Sequence, residues 1–369
     1  MKIYKFNFAV LLVIGVTWYF ISGVSREPVE ELAINSAIGF DFEENMEGIK
    51  IRTVTVNRYI ILENSVDSMT LSAKGNTIME AREDRQRKTD KRILIGLEKV
   101  YIISERYARS GIEDVMNMFF RNTELRDSTY LCICKGKPED IMKIKIKGYP
   151  SAGDFIEGLI EYSREQNFFP ENYKLIDAYT RMNSEGRNLV VPYIIAKEDK
   201  IQIDGIAFFK GDKMIGTLPM QKTKFNNLLR ENNIMGVINL QEDPNRYLCL
   251  QGKSKRKVKC YKEKDEYKFL ISLKISGELI ANDYEPNLIN KPEKKKEIEG
   301  QIKIKLEDEL RSYIKWFKSE YKVDAWELGK VAAAKYGRNT GVDWNEVVSN
   351  SDIDVNVSIS IDKFGRGDF

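Results

Sequence analysis

Residues 352–362 read DIDVNVSISID, with Ile or Val at every second position from 353 to 361. Strict alternation of apolar and polar side chains is typical of a β-strand with one face buried in the core. Upstream, residues 298–321 carry an apolar stripe at helical intervals, which predicts a long amphipathic helix. We expect the strand to pack on this helix, and this combination favours the α+β fold class. The stripe consists of Ile298, Ile302, Leu306, Leu310, Ile314, Phe317 and Tyr321.

Capping signals mark the ends of the helices predicted in the last third of the chain. Asn290 followed by Glu293 predicts the start of the long helix, because this spacing forms a capping box. Asp324 with Glu327 predicts a second start, and Gly337 predicts where that helix ends. Before these helices, strand-like runs separated by turn residues predict an antiparallel meander. The runs are residues 202–210, 213–218, 235–240, 247–251, 257–261 and 268–277.

The first half of the chain mixes strand and helix patterns. Period-two alternation on both sides of Met46-Glu47-Gly48 predicts a β-hairpin formed by residues 33–42 and 49–59. The polar stretch at residues 63–75 is predicted to form turns. Further predictions are helices at 77–90, 111–121 and 154–165 and strands at 99–104 and 129–135.

These patterns predict a multidomain α+β protein with mixed or antiparallel sheets, each packed against helices. The break at Gly148-Tyr149-Pro150-Ser151 suggests where one domain ends. The predicted parts are a signal or anchor segment at 1–25, an N-terminal α+β domain at 26–147, a small middle subdomain or linker at 148–198, and a C-terminal α+β domain at 199–369.

The first 25 residues have the arrangement of an export signal. Lys2 and Lys5 precede an uncharged apolar run, so the chain after about residue 26 is expected on the far side of a membrane. Residues 6–24 are marginally long enough to remain as an uncleaved anchor, whereas cleavage after Ser25 would release the protein. The residues expected to contact the membrane are Phe8, Val10, Leu11, Leu12, Val13, Ile14, Val16, Trp18, Phe20 and Ile21.

Composition excludes several classes of function. The 369 residues include no histidine, which excludes serine triads, zincins and histidine-based pH switches. A net charge of +3 does not indicate a nucleic-acid partner. Phosphate-binding and nucleophile-elbow motifs are absent, and Ser-x-x-Lys occurs three times without its companion motifs. A pair of catalytic carboxylates stays open, because such a pair is defined by distance in space rather than along the chain.

The four cysteines allow two interpretations. Cys249 and Cys260 flank the basic run 253–259, and a tight hairpin turn within that run would place them opposite each other at disulfide distance. In any other register they are free thiols. Cys132 and Cys134 are interpreted as core residues, because no further metal ligand has the required spacing. The basic run is interpreted as a solvated hairpin tip, with contact to an anionic membrane as the alternative.

Several short motifs follow one another in a fixed order along the whole chain, from Glu30-Glu31-Leu32-Ala33 to Gly365. In this order they resemble the Ger(x)C family, the C subunits of nutrient germinant receptors in endospore-forming bacteria. One departure stands out: Val24 takes the place of the family's lipid-bearing cysteine, and only a thiol forms the thioether of a lipid anchor. The matching positions are Gly39, Asp41, Gly75, Glu80, Glu105, Gly111, Arg121, Glu124, Arg126, Gly205, Phe208, Lys210, Gly216, Asp324 and Trp344.

The resemblance implies a non-enzymatic subunit on the extracytoplasmic face of the spore inner membrane, assembled with an A subunit and a transporter-like B subunit. No catalytic residue, metal or cofactor is implied, and the N-terminal segment takes over the tether that the missing lipid would provide. The leading hypothesis is therefore a receptor subunit required for nutrient-triggered germination. An exported cell-wall-active hydrolase and an extracytoplasmic solute-binding protein are the alternatives.

Overall fold

The computed structural model describes residues 10–18, 28, 31–243, 246–264, 266–285 and 287–364. Its strands form one large and one small sheet, and helices pack against both, which confirms the predicted α+β class. In the first part of the chain the strands are β1 (Leu32–Glu44), β2 (Lys50–Ile61), β3 (Val66–Gly75), β4 (Arg92–Leu94), β5 (Val100–Ser104), β6 (Tyr130–Cys134), β7 (Val190–Lys197), β8 (Lys200–Lys210) and β9 (Lys213–Pro219). The helices there are α1 (residues 10–18), α2 (Ile78–Gln86), α3 (Glu105–Ser110), α4 (Glu113–Arg121), α5 (Pro138–Lys143), α6 (Ala152–Gln166) and α7 (Leu175–Met182).

The remaining elements build the smaller sheet and its cover. They are α8 (Met220–Arg230), β10 (Ile234–Asp243), β11 (Arg246–Glu263), β12 (Glu266–Asn282), α9 (Pro292–Tyr321), α10 (Leu328–Tyr336), α11 (Trp344–Asn350) and β13 (Asp352–Lys363).

The larger sheet has the strand order β3-β2-β1-β5-β6-β7-β8-β9, with β4 beside β1. Its outer strands are antiparallel, and the predicted hairpin between β1 and β2 is confirmed. The central pairs β1–β5, β5–β6 and β6–β7 are parallel. β5 and β6 are buried along their whole length, because helices cover both faces, and their uninterrupted apolar sequences reflect this.

Alternate residues of these central strands enter two separate layers of the core. Ile102 and Cys132 contact the layer of α5 and α6. Tyr101 and Leu131 contact the opposite layer, formed by α3, α4 and α7. This period-two division, expected for any strand, positions α2 and α4 on the same face of the sheet.

The smaller sheet has the order β10-β11-β12-β13. β10, β11 and β12 are antiparallel, whereas β13 runs parallel to β12, because α9, α10 and α11 return the chain to the opposite end before β13 begins. The long helix α9 packs on β13 through its apolar stripe, so this prediction is confirmed.

Three strand predictions were wrong. Residues 66–75, predicted as turns, form β3, because Thr and Ser residues there pair across to β2 and leave a polar edge strand. β8 and β9 belong to the larger sheet, so the strand runs from 202 to 277 do not form a single meander. The two strands expected on either side of the basic run are one continuous strand, β11, of 18 residues.

The continuous β11 also overturns the predicted disulfide. Without a turn, Cys249 lies opposite Asn239 on β10 and Ala281 on β12, whereas Cys260 lies opposite Phe269. Both thiols are free, as are those of Cys132 and Cys134. The lysines of the basic run alternate along the strand instead of capping a hairpin, because β12 pairs with the whole run, whereas β10 pairs with β11 only as far as Ser254.

Two of the three helix signals were misassigned. Asn290 ends a short 3-10 turn, and Lys291 occupies the N-cap position of α9, where its side chain does not cap the helix. Asp324 lies before α10 rather than at its N-cap, yet its carboxylate accepts hydrogen bonds from the N–H groups of Trp326 at 2.9 Å and Gly329 at 2.7 Å. Gly337 does end α10, with a φ of 120°.

The predicted domain boundary at residue 198 falls in the turn between β7 and β8, inside the larger sheet. The division into domains therefore stays a prediction, to which the structure adds that one hydrophobic cluster includes side chains from both sheets.

Part of the predicted membrane segment falls within the described residues. Residues 10–18, from Val10 to Trp18, form α1, and their side chains are exposed. Phe8, Phe20, Ile21 and Val24 lie outside the described residues. Over the ranges that the structure describes, no helix is both long and apolar enough to cross a membrane.

Candidate functional site

A groove of about 780 Å³ lies between α2 and the C-terminal end of α4. One wall begins with Thr77, whose side-chain oxygen accepts from the Glu80 N–H at 3.1 Å. Glu80 accepts in turn from the N–H of Asn76, the residue before the N-cap, at 2.9 Å, and the two hydrogen bonds fix the first turn of α2. At Gly75 a Cβ atom would lie 2.5 Å from the Ala81 nitrogen, so only glycine lets α2 fold back this closely on β3.

The opposite wall is the end of α4 and the loop that follows. Val115, Met116 and Phe119 bury the apolar face of α4 in the core, which turns Arg121 towards the groove. Glu124 lies beyond the helix end and also lines the groove. Of the motif residues, Arg121 and Glu124 line the groove, whereas Gly75 and Glu80 fix the start of α2 next to it.

A smaller recess of about 30 Å³ continues the groove inward, and both are lined by Ile78, Arg82, Met118 and Asn122. Its volume exceeds the roughly 10–15 Å³ that one water molecule needs. The recess is mainly apolar, and its remaining lining residues include Ile38, Phe40, Val54, Ile95, Phe119 and Leu125.

Arg85 is the only charged residue besides Arg82 among the described lining of the recess, and it is 4% exposed. Burial, followed by the neighbouring charge of Arg82, lowers the pKa of Arg85 to about 10. Arg85 therefore stays charged at neutral pH. Within the described residues its Nε atom has no hydrogen-bond partner and no carboxylate pairs with it.

Glu98 is the acidic residue whose charge acts on Arg85, and it is 1% exposed. Its Oε2 atom accepts from the Gly96 N–H at 2.8 Å and from the Tyr101 hydroxyl at 3.3 Å. Its Oε1 atom has no partner among the described residues. Burial raises the pKa of Glu98, which weakens its charge as a counterion for Arg85.

The lining of groove and recess carries a net charge of +2, because four arginines face two carboxylates. Arg52 is neutralised by Asp114, with the Nη2 and Oδ2 atoms 3.1 Å apart. For Arg82, the described residues provide a contact with the Met79 sulfur at 3.8 Å and no carboxylate, and Arg121 has no carboxylate either. The arrangement is that of an anion-binding site with an apolar interior.

Other family-motif positions stabilise the fold rather than line the groove. Asp41 is buried and accepts from the Ser104 hydroxyl at 2.7 Å and from Arg106 Nε at 2.5 Å. Glu105 accepts from the Tyr193 hydroxyl at 2.5 Å and from Arg109, which ties α3 to β7. These contacts hold the N-terminus of α3 against the sheet.

Three motif glycines and one aromatic residue permit close packing. A Cβ at Gly39 would lie 2.5 Å from that of Pro138, and one at Gly216 would lie 2.7 Å from the Phe208 ring. Phe208 itself packs against Phe317 and Tyr321 of α9. Gly111 ends α3 with a φ of 116°.

The remaining motif positions are scattered. Arg126 donates to the Ser128 hydroxyl at 2.6 Å, outside the groove, and Lys210 is exposed at the end of β8. Trp344 is buried and donates from Nε1 to Glu185 at 2.9 Å. Gly205 pairs with Pro219 between β8 and β9, and Asp324 accepts from backbone N–H groups before and in α10, so neither residue lines the groove.

Sequence reasoning missed Arg82 and Arg85, although α2 contained a usable signal. Ile78, Ala81 and Arg85 follow one another at helical intervals on the face that enters the core. A charged residue at a core-facing position of an amphipathic helix is the kind of exception that marks a site. Arg85 lies outside the family motifs, so the comparison with those motifs did not include it.

Sequence reasoning also missed a buried ionic cluster that joins α7, α8 and the turn before α10. Glu327 Oε1 accepts from Arg230 at 2.9 Å, from Arg187 at 3.0 Å and from Arg181 at 3.2 Å. Glu231 accepts from Arg181 and from Arg230 on the other side. The five residues come from three distant parts of the sequence, at 181–187, 230–231 and 327, so no spacing rule predicts the cluster.

Comparison with known proteins gives matches over both halves of the chain. The family model described as "Spore germination protein N-terminal domain" matches residues 25–196, and that described as "Spore germination B3/ GerAC like, C-terminal" matches residues 204–365. Together they cover most of the 369 residues.

Curated relatives agree with these matches. Spore germination protein B3 of Bacillus subtilis (strain 168) is 25% identical over 313 residues, covering 80% of this chain and 81% of that protein. Spore germination protein A3 of the same strain is 26% identical over 271 residues, covering 71% and 70% of the two chains. Spore germination protein GerQC of Bacillus cereus is 21% identical over 300 residues, covering 80% and 82%.

A solved structure, that of the GerBC protein, has the same fold. It superposes with a TM-score of 0.57 and 21% identity, covering 88% of this chain and 97% of GerBC. The resemblance drawn from the motifs is confirmed by the two family matches. The chain therefore belongs to the GerAC-like family of spore germination proteins, the Ger(x)C family.

Proposed function

We propose that this chain is a non-catalytic subunit of a spore germinant receptor, required for germination in response to nutrients. The observation that carries this proposal is the ordered match to both family domains from residue 25 to residue 365. A chain that keeps both domains in order has the parts that the family's members use. The names of its relatives, all spore germination proteins, support the same process.

Within such a receptor the chain assembles with an A subunit and a B subunit at the spore inner membrane, on the extracytoplasmic face. The arrangement of Lys2 and Lys5 before an apolar run supports this orientation. The exposed apolar side chains of α1 support a tether formed by the N-terminal segment in place of a lipid. Sequencing of the mature N-terminus tests this tether, and a mature chain that starts at Arg26 contradicts it.

The groove between α2 and α4 is the recognition site of this subunit. Asp41, Phe208 and Asp324 are motif residues that are buried and serve the fold. Arg121 and Glu124 are motif residues that line an open groove instead, and neither is needed for packing there. The exposure of these two polar side chains in an open groove supports a role in binding.

Deletion of the gene tests the function directly. In a strain that lacks other nutrient receptors, we expect deletion to abolish germination on nutrients, and reintroduction of the wild-type gene to restore it. The same strain with Arg121→Glu should respond weakly, because the substitution reverses a charge at the groove. The matched control is Lys200→Glu, which reverses an exposed charge at the β7–β8 turn. Unaltered germination of the deletion strain on every nutrient overturns the proposal.

Co-purification tests the assembly. We expect a tagged chain, extracted from spore membranes with a mild detergent, to bring down the A and B subunits. The untagged strain is the control for non-specific capture. Recovery of the chain alone, in extracts where the A and B subunits are detected, contradicts membership in a complex.

A further inference from the structure

Arg85 occupies a position in which an arginine normally has a counterion. It is 4% exposed, and its Nε atom is buried without a hydrogen-bond acceptor among the described residues. A buried N–H of a charged guanidinium without a partner is costly, because it has lost its water and gained no acceptor. Such a group calls for an explanation, and a partner supplied from outside the fold is one.

Glu98 does not fill this role in the structure. No ion pair within 4 Å joins it to Arg85 in the described part of the chain, and its own Oε1 atom is equally without a partner. Its other oxygen accepts from Gly96 and Tyr101, which hold the carboxylate in place. The two buried groups therefore leave an acceptor position beside Arg85 that no described side chain occupies.

The recess gives access to that position. Arg85 is among its lining residues, and the recess shares Arg82 and Met118 with the open groove. Arg82 and Arg121 add positive charge along the way without carboxylates of their own, so an anion entering the groove is attracted inward.

The shape and chemistry of the recess select among anions. A guanidinium presents two parallel N–H groups that match the two oxygens of a planar carboxylate. A phosphate carries more charge, which the apolar walls formed by Phe40, Val54 and Phe119 do not solvate. The same walls favour a short apolar chain next to the carboxylate.

We propose that the recess binds a small carboxylate with a short apolar chain, whose carboxylate oxygens accept hydrogen bonds from Arg85. This inference rests on the proposal that the groove is a recognition site, and it adds the class of ligand. The apolar part of the ligand lies against Ile78 and Met118, where the recess opens into the groove.

The test uses the full-length protein in detergent with three probes of matched shape: butyrate, butylamine and 1-butanol. Binding is followed by saturation-transfer NMR and by titration calorimetry. We expect saturable binding of butyrate and weak or undetectable binding of the amine and the alcohol. Equal binding of all three probes overturns the proposal, because it shows an apolar recess without recognition of the carboxylate.

Two variants on the same helix separate the role of Arg85 from a structural one. Arg85→Met should weaken butyrate binding about tenfold or more, because the charged donor is lost. Its unfolding temperature should stay equal or rise, since a buried charge without a partner is replaced by an apolar side chain. The matched control is Arg87→Met, which removes an exposed arginine paired with Asp84 and should leave butyrate binding unchanged.

The outcomes distinguish this inference from the proposed function. Unchanged butyrate binding in Arg85→Met overturns the carboxylate site. A marked loss of stability in Arg85→Met does so as well, because Arg85 would then hold the fold together with Glu98. Neither result touches the deletion experiment, so the receptor function is tested independently.

Discussion

Glu327 is the residue on which the junction between the two sheets depends most. Its side chain is 11% exposed and accepts from Arg181, Arg187 and Arg230 through one oxygen atom. Arg230 extends the junction by donating to the backbone oxygens of Asn188 and Ala325. Without the carboxylate of Glu327, three buried or half-buried arginines would share the single charge of Glu231.

Replacement of this carboxylate should be strongly destabilising. We expect Glu327→Gln to lower the free energy of unfolding by about 3–5 kcal/mol, the usual cost of removing one partner from a buried ion pair. Urea denaturation measures the change. Glu293→Gln is the control, because Glu293 and Lys296 form an exposed pair at 3.9 Å whose loss should be nearly neutral. Equal stability of both variants would contradict the role given to Glu327.

The same carboxylate predicts a dependence of stability on pH. Burial alone raises the pKa of Glu327, but the charges of Arg230, Arg181 and Arg187 outweigh burial and hold its pKa well below its usual range. Because the pKa of Glu327 is lower in the folded state, its ionised carboxylate stabilises the fold at pH values above its unfolded-state pKa of about 4.5. This stabilisation is lost as the pH falls towards the folded-state pKa.

The difference in the free energy of unfolding between wild type and Glu327→Gln should therefore reach its full size at neutral pH. It should shrink below about pH 4.5, by about 1.4 kcal/mol for each pH unit. Urea denaturation of both proteins over a series of pH values measures this difference. A difference that stays constant down to about pH 3 would show that the ionised form of Glu327 contributes nothing.

The cysteines allow a prediction about reactivity. Cys249 is partly exposed, whereas Cys260, Cys132 and Cys134 are buried. Burial raises the pKa of Cys260 to about 11 and that of Cys132 further, so few thiolates form there at neutral pH. Iodoacetamide should modify Cys249 first in the native protein and all four in urea. Mass spectrometry identifies the sites, and a linked peptide containing both Cys249 and Cys260 would contradict the free thiols.

At the scale of elements, alternation and helical stripes were enough to predict β13, α9 and the β1–β2 hairpin. β13 and α9 each have one buried and one exposed face, which the sequence records directly. β1 is buried on both faces, and its hairpin with β2 was indicated by the turn residues Met46-Glu47-Gly48 as well as by alternation. The prediction for β11 was wrong, because its basic run has the composition of a turn although it lies within one continuous strand. The run pairs with β12 along its whole length, for example Lys255 opposite Lys274, and a local pattern does not contain these partners.

The candidate site shows a similar division. The N-cap of Thr77 and the tight packing at Gly75 are local, and the motifs included Gly75 and Glu80. The recess depends on β1, β2, α2 and α4 meeting in space, so only the fold reveals that Arg85 enters it. Burial of one arginine on an amphipathic helix was the single local sign.

The hairpin of β8 and β9 predicts a sharp difference between two glycine substitutions. Gly205 has a φ of 155°, and a Cβ atom there would lie 1.8 Å from the Leu218 carbonyl oxygen. Gly205→Ala should lower the free energy of unfolding by about 2–3 kcal/mol, because the strand pair must separate. Gly300→Ala is the control within α9, where no atom lies within 4 Å and helix propensity should add about 0.5–1 kcal/mol. Thermal or urea denaturation measures both variants. A free energy of unfolding that changes in the same direction in both would contradict this account.

At the scale of the whole molecule, the two sheets share contacts that separate domains would lack. Phe208 of β8 lies with its ring 5.2 Å from that of Phe317 and 4.7 Å from that of Tyr321, both on α9. The cluster around Glu327 joins the same two regions through charged groups. Because both contacts are buried, neither sheet can lose its partner without exposing apolar or charged surface to water.

The two sheets should therefore unfold in one transition. Differential scanning calorimetry of the full-length protein should give equal calorimetric and van't Hoff enthalpies, the mark of a single cooperative unit. Phe208→Ala should lower the free energy of unfolding by about 3–5 kcal/mol and so lower the midpoint temperature. On its own this substitution should leave a single transition, because both sheets lose the same contact. Combined with Glu327→Gln, it removes both the apolar and the ionic contact, and the transition should then separate into two. Two transitions in the wild-type protein would instead favour the independent domains predicted from the sequence, with a boundary near residue 198.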